Sequence, residues 1–371
     1  MTLAWKFTPR LLKLGPLLRS RRAWIGIDIG SAATKLVQLE RVEGEVRFAA
    51  RWLVDEYPDG MLTRGFFEQA SGLPFQAQLK NARAAFRGRR SAATLPTTVT
   101  DLRSLELPAG TDNELRSMIQ EELQAESPDN NRELCFDYVP TPSPDSSEGN
   151  LNSFGVFAVA KDVALRTANA LAAAGLDCEV LDSHACAVAR AVELCEPVES
   201  KSPIAALDFG ESSAVFVLTR EGKPLFTRQL RGWGLHALLT PLQEGLRLSA
   251  SEAKHLLTRN QQCPESSSLA SLAHTAQNMI VEPLSQFTAE VKRTLDFIDL
   301  RFRSIIPKQL ILFGCGALVS HLPDTIARNT GLPVRPWSLP SVGQQPPRPD
   351  DALFGVAAAL SSLAWETRGC M

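Results

Sequence analysis

Between residues 24 and 48 the chain alternates apolar runs with short breaks of small residues. WIGIDI carries one charge, Asp28, and otherwise reads as a strand buried on both faces. Gly30-Ser31-Ala32-Ala33-Thr34 breaks the run, a second strand follows, and a turn at Gly44 starts a third. The same order returns at residues 203–226: the apolar run PIAALDF with Asp208 near its end, then Gly210 and small residues, a second strand, a turn at Gly222 and a third strand. Two hairpins built alike and far apart point to two related lobes facing one ligand.

The rest of the pattern fills in around these hairpins. Residues 64–87 are helical in part, with a break at Gly72-Leu73-Pro74, and Ser91–Thr98 holds a short strand ended by Pro96. From Asp101 a small β-α-β-β-α unit is predicted. It comprises an alternating strand to Leu107 and a helix capped by Asp112 with Leu115, Met118, Ile119 and Leu123 on one face. Strands over Cys135–Val139 and Ser153–Ala160 follow, then a helix from Lys161 closed by Gly175. Pro140–Asn152 reads as an exposed loop. Cys178–Leu181 is a strand, and Ser183 caps a helix to Cys195. Trp233, between Gly232 and Gly234, marks a flexible corner, Ser249 or Ser251 starts a helix over Glu252–Thr258, and a loop spans Gln261–Ser268. A long helix over His274–Phe302 carries Ile280, Leu284, Phe287, Val291, Leu295 and Ile298 as its core stripe. Leu310–Phe313 is a buried strand, Gly314-Cys315-Gly316 a turn, and Ala317 the expected start of a helix ending at Gly331. A Pro/Gln loop over Ser341–Asp350 and a core helix over Ala352–Trp365 complete the pattern.

Glycine turns of this kind let backbone N–H groups approach phosphate oxygens. A carboxylate beside such a turn repels phosphate unless Mg²⁺ bridges the two, the role that Asp28 and Asp208 would have, with Lys35 adding positive charge. The plainer reading of each hairpin alone is turn geometry that needs Asp and Gly. Strand, glycine bend and helix at residues 310–331 is a place to lay a nucleotide. Val319 at the third glycine position excludes a dinucleotide fingerprint there.

Composition narrows the classes. With 371 residues, 44% hydrophobic and 22% charged, the chain is long enough for two lobes, and a net charge of −2 gives no field that calls for nucleic acid. Seven cysteines without a CxxC pair read as reduced thiols of a cytosolic-type compartment, and five histidines lack metal-ligand spacing. No apolar run is long enough to span a bilayer. The first 22 residues hold Lys6, Arg10, Lys13, Arg19, Arg21 and Arg22 with no acid, either an arm resting on an anionic membrane surface or a solvated tail.

The series GIDIGSAATKLVQL, ALDFGESSAVFVL and LILFGCGAL, in this order, resembles the phosphate 1, phosphate 2 and adenosine motifs of the actin-like ATPase superfamily. Within it the chain is most similar to the PilM family of type IV pilus assembly proteins, from residue 24 to the end. TLPTTVTDLRSLELP, NELRSMIQEELQ, ELCFDYVP and FGVFAVAKDVALRTANALAAAGL resemble the family's inserted subdomain and its flanks. EVLDSHACAVARAV and EPLSQFTAEVKRTLDFID resemble the connecting helix and the long helix before the adenosine motif. The resemblance implies an α/β actin-like ATPase fold, two lobes around a nucleotide cleft with a small inserted α/β subdomain. Its boundaries would be 1–23 for the arm, 24–100 and 181–202 for the first lobe, 101–180 for the insert and 203–371 for the second lobe. It implies ATP and Mg²⁺ as ligands, with Asp28, Gly30, Ser31, Ala32 and Lys35 at phosphate 1, Asp208, Gly210, Glu211 and Ser212 at phosphate 2, Gly314, Gly316 and Ala317 at the adenosine bend, and Asp28 and Asp208 on the metal.

The implied role is a scaffold at a type IV pilus or type II secretion platform, cytoplasmic and peripheral to the inner membrane. It would dock the cytoplasmic tail of a PilN-type membrane protein beside other platform proteins, with slow ATP hydrolysis at most. The sequence departs from the family at Trp233, where the first of a glycine pair stands, and at Leu238 in place of a threonine. Lys254 and Leu257 stand where a Glu and a Lys face adenosine, and Glu211 puts a carboxylate beside a phosphate loop. Two alternatives stay open: a small-molecule kinase of the same superfamily, with Asp182 as the base on offer, and an FtsA-like division filament protein, whose relatives end in a membrane helix that the sequence does not predict after Trp365.

Overall fold

The computed structural model describes residues 22–55, 76–125, 133–142, 151–196, 202–258, 268–302, 305–340 and 347–366. The basic arm before Arg22, the expected break at Gly72-Leu73-Pro74, residues 143–150 of the exposed loop, the loop residues 261–267 and 341–346, and the last five residues lie outside them. The elements are β1 (Arg22–Ile29), β2 (Ala33–Val42), β3 (Glu45–Asp55), α1 (Gln76–Arg83), β4 (Arg90–Thr94), β5 (Thr100–Pro108), α2 (Asp112–Ala125), β6 (Leu134–Thr141), β7 (Leu151–Ala160), α3 (Lys161–Ala173), β8 (Asp177–Asp182) and α4 (His184–Cys195). They continue with β9 (Ile204–Phe209), β10 (Ser213–Arg220), β11 (Lys223–Arg231), α5 (Leu235–Leu246), α6 (Ala250–Thr258), α7 (Ser268–Arg301), β12 (Leu310–Gly314), α8 (Leu322–Thr330), β13 (Val334–Pro336) and α9 (Gly355–Glu366).

The chain divides into two compact units. One takes the residues up to Ala191, Lys223–Phe226 and those from Val356 on; the other takes Val192–Gly222 and Thr227–Gly355. The sequence assigned α9 to the second lobe, yet its contacts lie with the first unit. Ser361 shows why: its hydroxyl donates to the Trp24 carbonyl at 2.6 Å and accepts the Leu39 N–H at 2.9 Å, fastening the helix to β1 and β2. Gly26 of β1 makes the close approach possible, since a Cβ there would fall on the Ala357 carbonyl and 2.5 Å from the Ser361 nitrogen.

The first unit's sheet runs β3-β2-β1-β4-β8, with antiparallel hairpins on one side and parallel pairs β1·β4 and β4·β8 on the other. The second unit's sheet has the matching order β11-β10-β9-β12-β13. The duplication extends to the turns. Glu43-Gly44 and Glu221-Gly222 both have positive φ at each residue, the conformation that suits tight hairpins. Each sheet's central strand is buried almost throughout, with one antiparallel and one parallel neighbour at its edges.

A third sheet, β5-β7-β6, is antiparallel and belongs to the first unit. Leu107, Leu115, Ile119, Leu123, Phe154, Val156 and Ala158 form its core with α2. The cap of α2 is Thr111 and not Asp112: the Thr111 hydroxyl accepts the Glu114 N–H at 3.4 Å while Glu114 accepts the Thr111 N–H at 2.7 Å, a reciprocal box. Asp112 instead accepts from Arg116 at 3.0 Å and from the Tyr138 hydroxyl at 2.6 Å.

Two further expectations change. The expected helix from Ala317 to Gly331 is split: Cys315–Leu318 forms a 3₁₀ turn, and α8 begins at Leu322 after His321 at φ 64°. Pro323 is the cause, because proline lacks the N–H that a helix begun at Ala317 would need and fits only a helix's first turn. α5 had no counterpart in the predicted elements, although Leu235, Leu238, Leu239 and Leu242 line its buried face.

Replacing Gly26 by Ala is expected to destabilise the protein by about 2–3 kcal/mol, since backbone on both sides blocks relief of the clash. Denaturant unfolding of the two proteins measures it, and an unchanged midpoint would contradict the packing described.

Candidate functional site

In the first unit the site begins where β1 ends. The Gly30 N–H donates to the Ala33 carbonyl at 2.9 Å and closes the turn, and a Cβ on Gly30 would lie 2.8 Å from that oxygen. The antiparallel register places Asp28 opposite Lys35. Lys35 Nζ lies 3.1 Å from Asp28 Oδ2, and Asp28 is 4% exposed. The hairpin therefore carries its own counter-charge. Ser31 and Ala32 form the tip between the strands.

The second unit repeats the hydrogen bond that closes this turn. The Gly210 N–H donates to the Ser213 carbonyl at 3.0 Å, and a Cβ on Gly210 would lie 3.0 Å from that oxygen. Val215, not a lysine, stands opposite Asp208. Glu211 and Ser212 form the tip. The Leu235 and His236 N–H groups at the start of α5 donate to the carbonyls of Gly210 and Glu211 at 3.0 and 2.9 Å. Gly234 permits this docking, because a Cβ there would fall 2.6 Å from the Glu211 oxygen and 2.7 Å from the Ser213 nitrogen.

The adenosine bend belongs to the same unit and meets this turn directly. β12 runs parallel to β9 with Phe313 beside Asp208 and Gly314 beside Phe209. Gly314 has φ 74°, and a Cβ on it would collide with Asp208 Oδ1 and lie 2.5 Å from the Phe209 carbonyl. A Cβ on Gly316 would lie 2.5 Å from the Phe209 side chain. Cys315 donates its thiol to the Phe209 carbonyl at 3.2 Å, and Ala317 sits in the 3₁₀ turn. Asp208, Gly210, Gly314, Gly316 and Ala317 are thus brought together, while Asp28, Gly30, Ser31, Ala32 and Lys35 gather in the first unit. At each of these four glycines a Cβ would crowd neighbouring protein atoms, so bare backbone is what lets the turns and the bend pack this closely.

The departures from the family pattern acquire physical explanations. Trp233 packs its ring 5.9 Å from Phe287, which in turn meets Phe209 edge-on at 4.8 Å. Leu238 and Leu257 are core residues, 0% and 3% exposed. Lys254 Nζ lies 3.7 Å from Glu211 Oε2. α6, which carries Lys254, is capped by Ser249, whose hydroxyl and backbone N–H both donate to Glu252. These bonds hold the Glu252 carboxyl below its usual range, so the cap is intact above that range and is lost as pH falls through the lowered value. Asp182 pairs with Arg190 at 2.8 Å with both side chains largely buried, and it accepts the Ser183 N–H at 2.8 Å. That arrangement employs Asp182 in holding α4 rather than as an open base.

The sequence pattern of the family Type IV pilus assembly protein PilM matches residues 26–337. The chain belongs to the PilM family. A solved PilM–PilN type IV pilus biogenesis complex is similar to this PilM-family protein at a TM-score of 0.70 and 22% identity, over 95% of this chain and 100% of that one. The ethanolamine utilization protein EutJ from Carboxydothermus hydrogenoformans aligns at a TM-score of 0.53 and 12% identity, over 93% of this chain and 90% of its own. The fold of this PilM-family protein is that of the actin-like ATPases, as the three motifs implied.

Lys35→Met leaves the Asp28 carboxylate buried without its ammonium and is expected to cost about 3 kcal/mol, while adding Asp28→Asn recovers most of the loss. Chemical denaturation of the single and double variants tests this; equal stability of wild type and Lys35→Met would contradict it.

Proposed function

We propose that this protein is a nucleotide-binding scaffold of a type IV pilus assembly platform. In this reading the Gly210 turn and the Gly314–Ala317 bend of the second unit hold ATP, with Asp208 facing Mg²⁺ directly or through water, and the Gly30 turn with Asp28 is the phosphate 1 element that the family resemblance implies. The observation that carries it is the close approach of Gly314 to Asp208 and Phe209, which joins the Gly210 turn to the Gly314–Ala317 bend within the second unit. Among the described residues no three His, Cys, Asp or Glu side chains gather into a cage, which suits an ion held mainly by phosphate oxygens and water. When bound, Mg²⁺ neutralises phosphate charge. The protein's own residues exclude bulk and fix the turn backbones.

The docking partner in this reading is the cytoplasmic tail of a PilN-type inner-membrane protein, and nucleotide binding stabilises the tail-binding form by mass action. Family membership and the similar PilM–PilN complex support it. No helix of the described residues is long and apolar enough to cross a membrane, in keeping with a platform protein recruited through such a tail. The buried pairing of Asp182 with Arg190 disfavours the kinase alternative, because that carboxylate is committed within the first unit.

Equilibrium titration of the full chain with ATP and Mg²⁺ should saturate, and Asp208→Asn should weaken binding about tenfold. Absence of saturation up to about 1 mM would overturn the nucleotide reading. Capture of a PilN-type tail peptide by the immobilised chain tests the docking reading separately, and failure to retain it with or without ATP would overturn that part.

A further inference from the structure

We propose that Lys254 is a phosphate-binding residue held in reserve by Glu211, the two side chains forming a latch that a nucleoside triphosphate must open. This rests on the nucleotide reading above and adds a residue and a gate to that site.

Glu211 follows directly on Gly210 in the turn between β9 and β10. Its backbone is fixed, since its carbonyl accepts the His236 N–H at 2.9 Å. Its side chain leaves the turn toward α6. There Ala253 and Leu257 are buried at 0% and 3%, which anchors the helix and leaves Lys254 at the rim. The Nζ–Oε2 separation of 3.7 Å exceeds hydrogen-bond length, and the two side chains are 35% and 20% exposed. The Lys35–Asp28 pair differs on both counts, at 3.1 Å with exposures of 18% and 6%. Asp28 and Lys35 form a closer and more enclosed pair, whereas the Glu211–Lys254 contact is longer and more open to solvent and holds the ammonium less tightly.

A phosphate approaching the Gly210 turn meets the Glu211 carboxylate. Paired with Lys254, that carboxylate is neutralised and repels little. A triphosphate carries several negative charges on accepting oxygens, so it competes well for the ammonium. Lys254 then changes partner, and the energy of the Glu211 contact is subtracted from the affinity. Simple repulsion by Glu211, with Lys254 a passive shield, predicts the opposite coupling between the two residues.

The test is a double-variant cycle on the full chain, read by fluorescence of an ATP analogue with Mg²⁺, with thermal unfolding of each variant as the check on folding. Glu211→Gln should bind about fivefold tighter than wild type and Lys254→Met about fivefold weaker. On the Lys254→Met background, Glu211→Gln should gain less than it gains in the native protein. A larger gain there would overturn the latch in favour of repulsion. If wild type binds and both single variants stay within about twofold, the latch falls while the nucleotide reading stands. If neither wild type nor Glu211→Gln binds, the nucleotide reading itself falls and the latch with it.

Discussion

The second unit's site depends on one steric condition: backbone must pass within contact distance of a carboxylate. Gly314, at φ 74°, lies where any side chain would strike Asp208 and the Phe209 carbonyl. Satisfying that condition requires a left-handed residue at the end of β12, a parallel register that sets Gly314 beside Phe209, and a second glycine at 316 to clear the Phe209 ring. The aromatic chain from Phe209 through Phe287 to Trp233 supports the same spot from behind. Backbone pressed against Asp208 and Phe209 and the rings packed on Phe209 make this end of β9 stiff.

Charge is handled differently in the two units although their turns are alike. In the first, the counter-charge is built across the hairpin, where the register itself sets Lys35 opposite Asp28. In the second, Val215 stands at the equivalent place, and a lysine arrives from a separate helix to meet Glu211, one step further along the turn. Two copies of one hairpin have thus been given distinct electrostatic characters, one sealed and one adjustable.

The turns were legible in the sequence because residue type decides them locally: Asp, then Gly two positions on, then small residues, twice over. Family resemblance supplied the order of the motifs and the insert, whose β-α-β-β-α pattern the structure has as β5 to α3. Local signals were also misread. Pro323 sets the start of α8, and the leucines of α5 carry a plain helical period that the neighbouring glycines obscured. Thr111 and Glu114 form a recognisable box one position before Asp112. What periodicity does not contain is pairing at a distance. Ser361 meets Leu39 across 322 positions of sequence, and nothing near either residue announces the other.

That bond has a consequence for how the protein is made. The chain forms most of its first unit, touches it again at Lys223–Phe226, and returns with α9 to lay Ser361 against β1 and β2. A nascent polypeptide emerging from the ribosome therefore holds a first sheet whose strands are all made but which lacks the Ser361 bonds until α9 has been synthesised. No single cut divides the protein into two self-sufficient fragments, so attempts to express the units separately require the closing helix to be grafted back onto the opening segment.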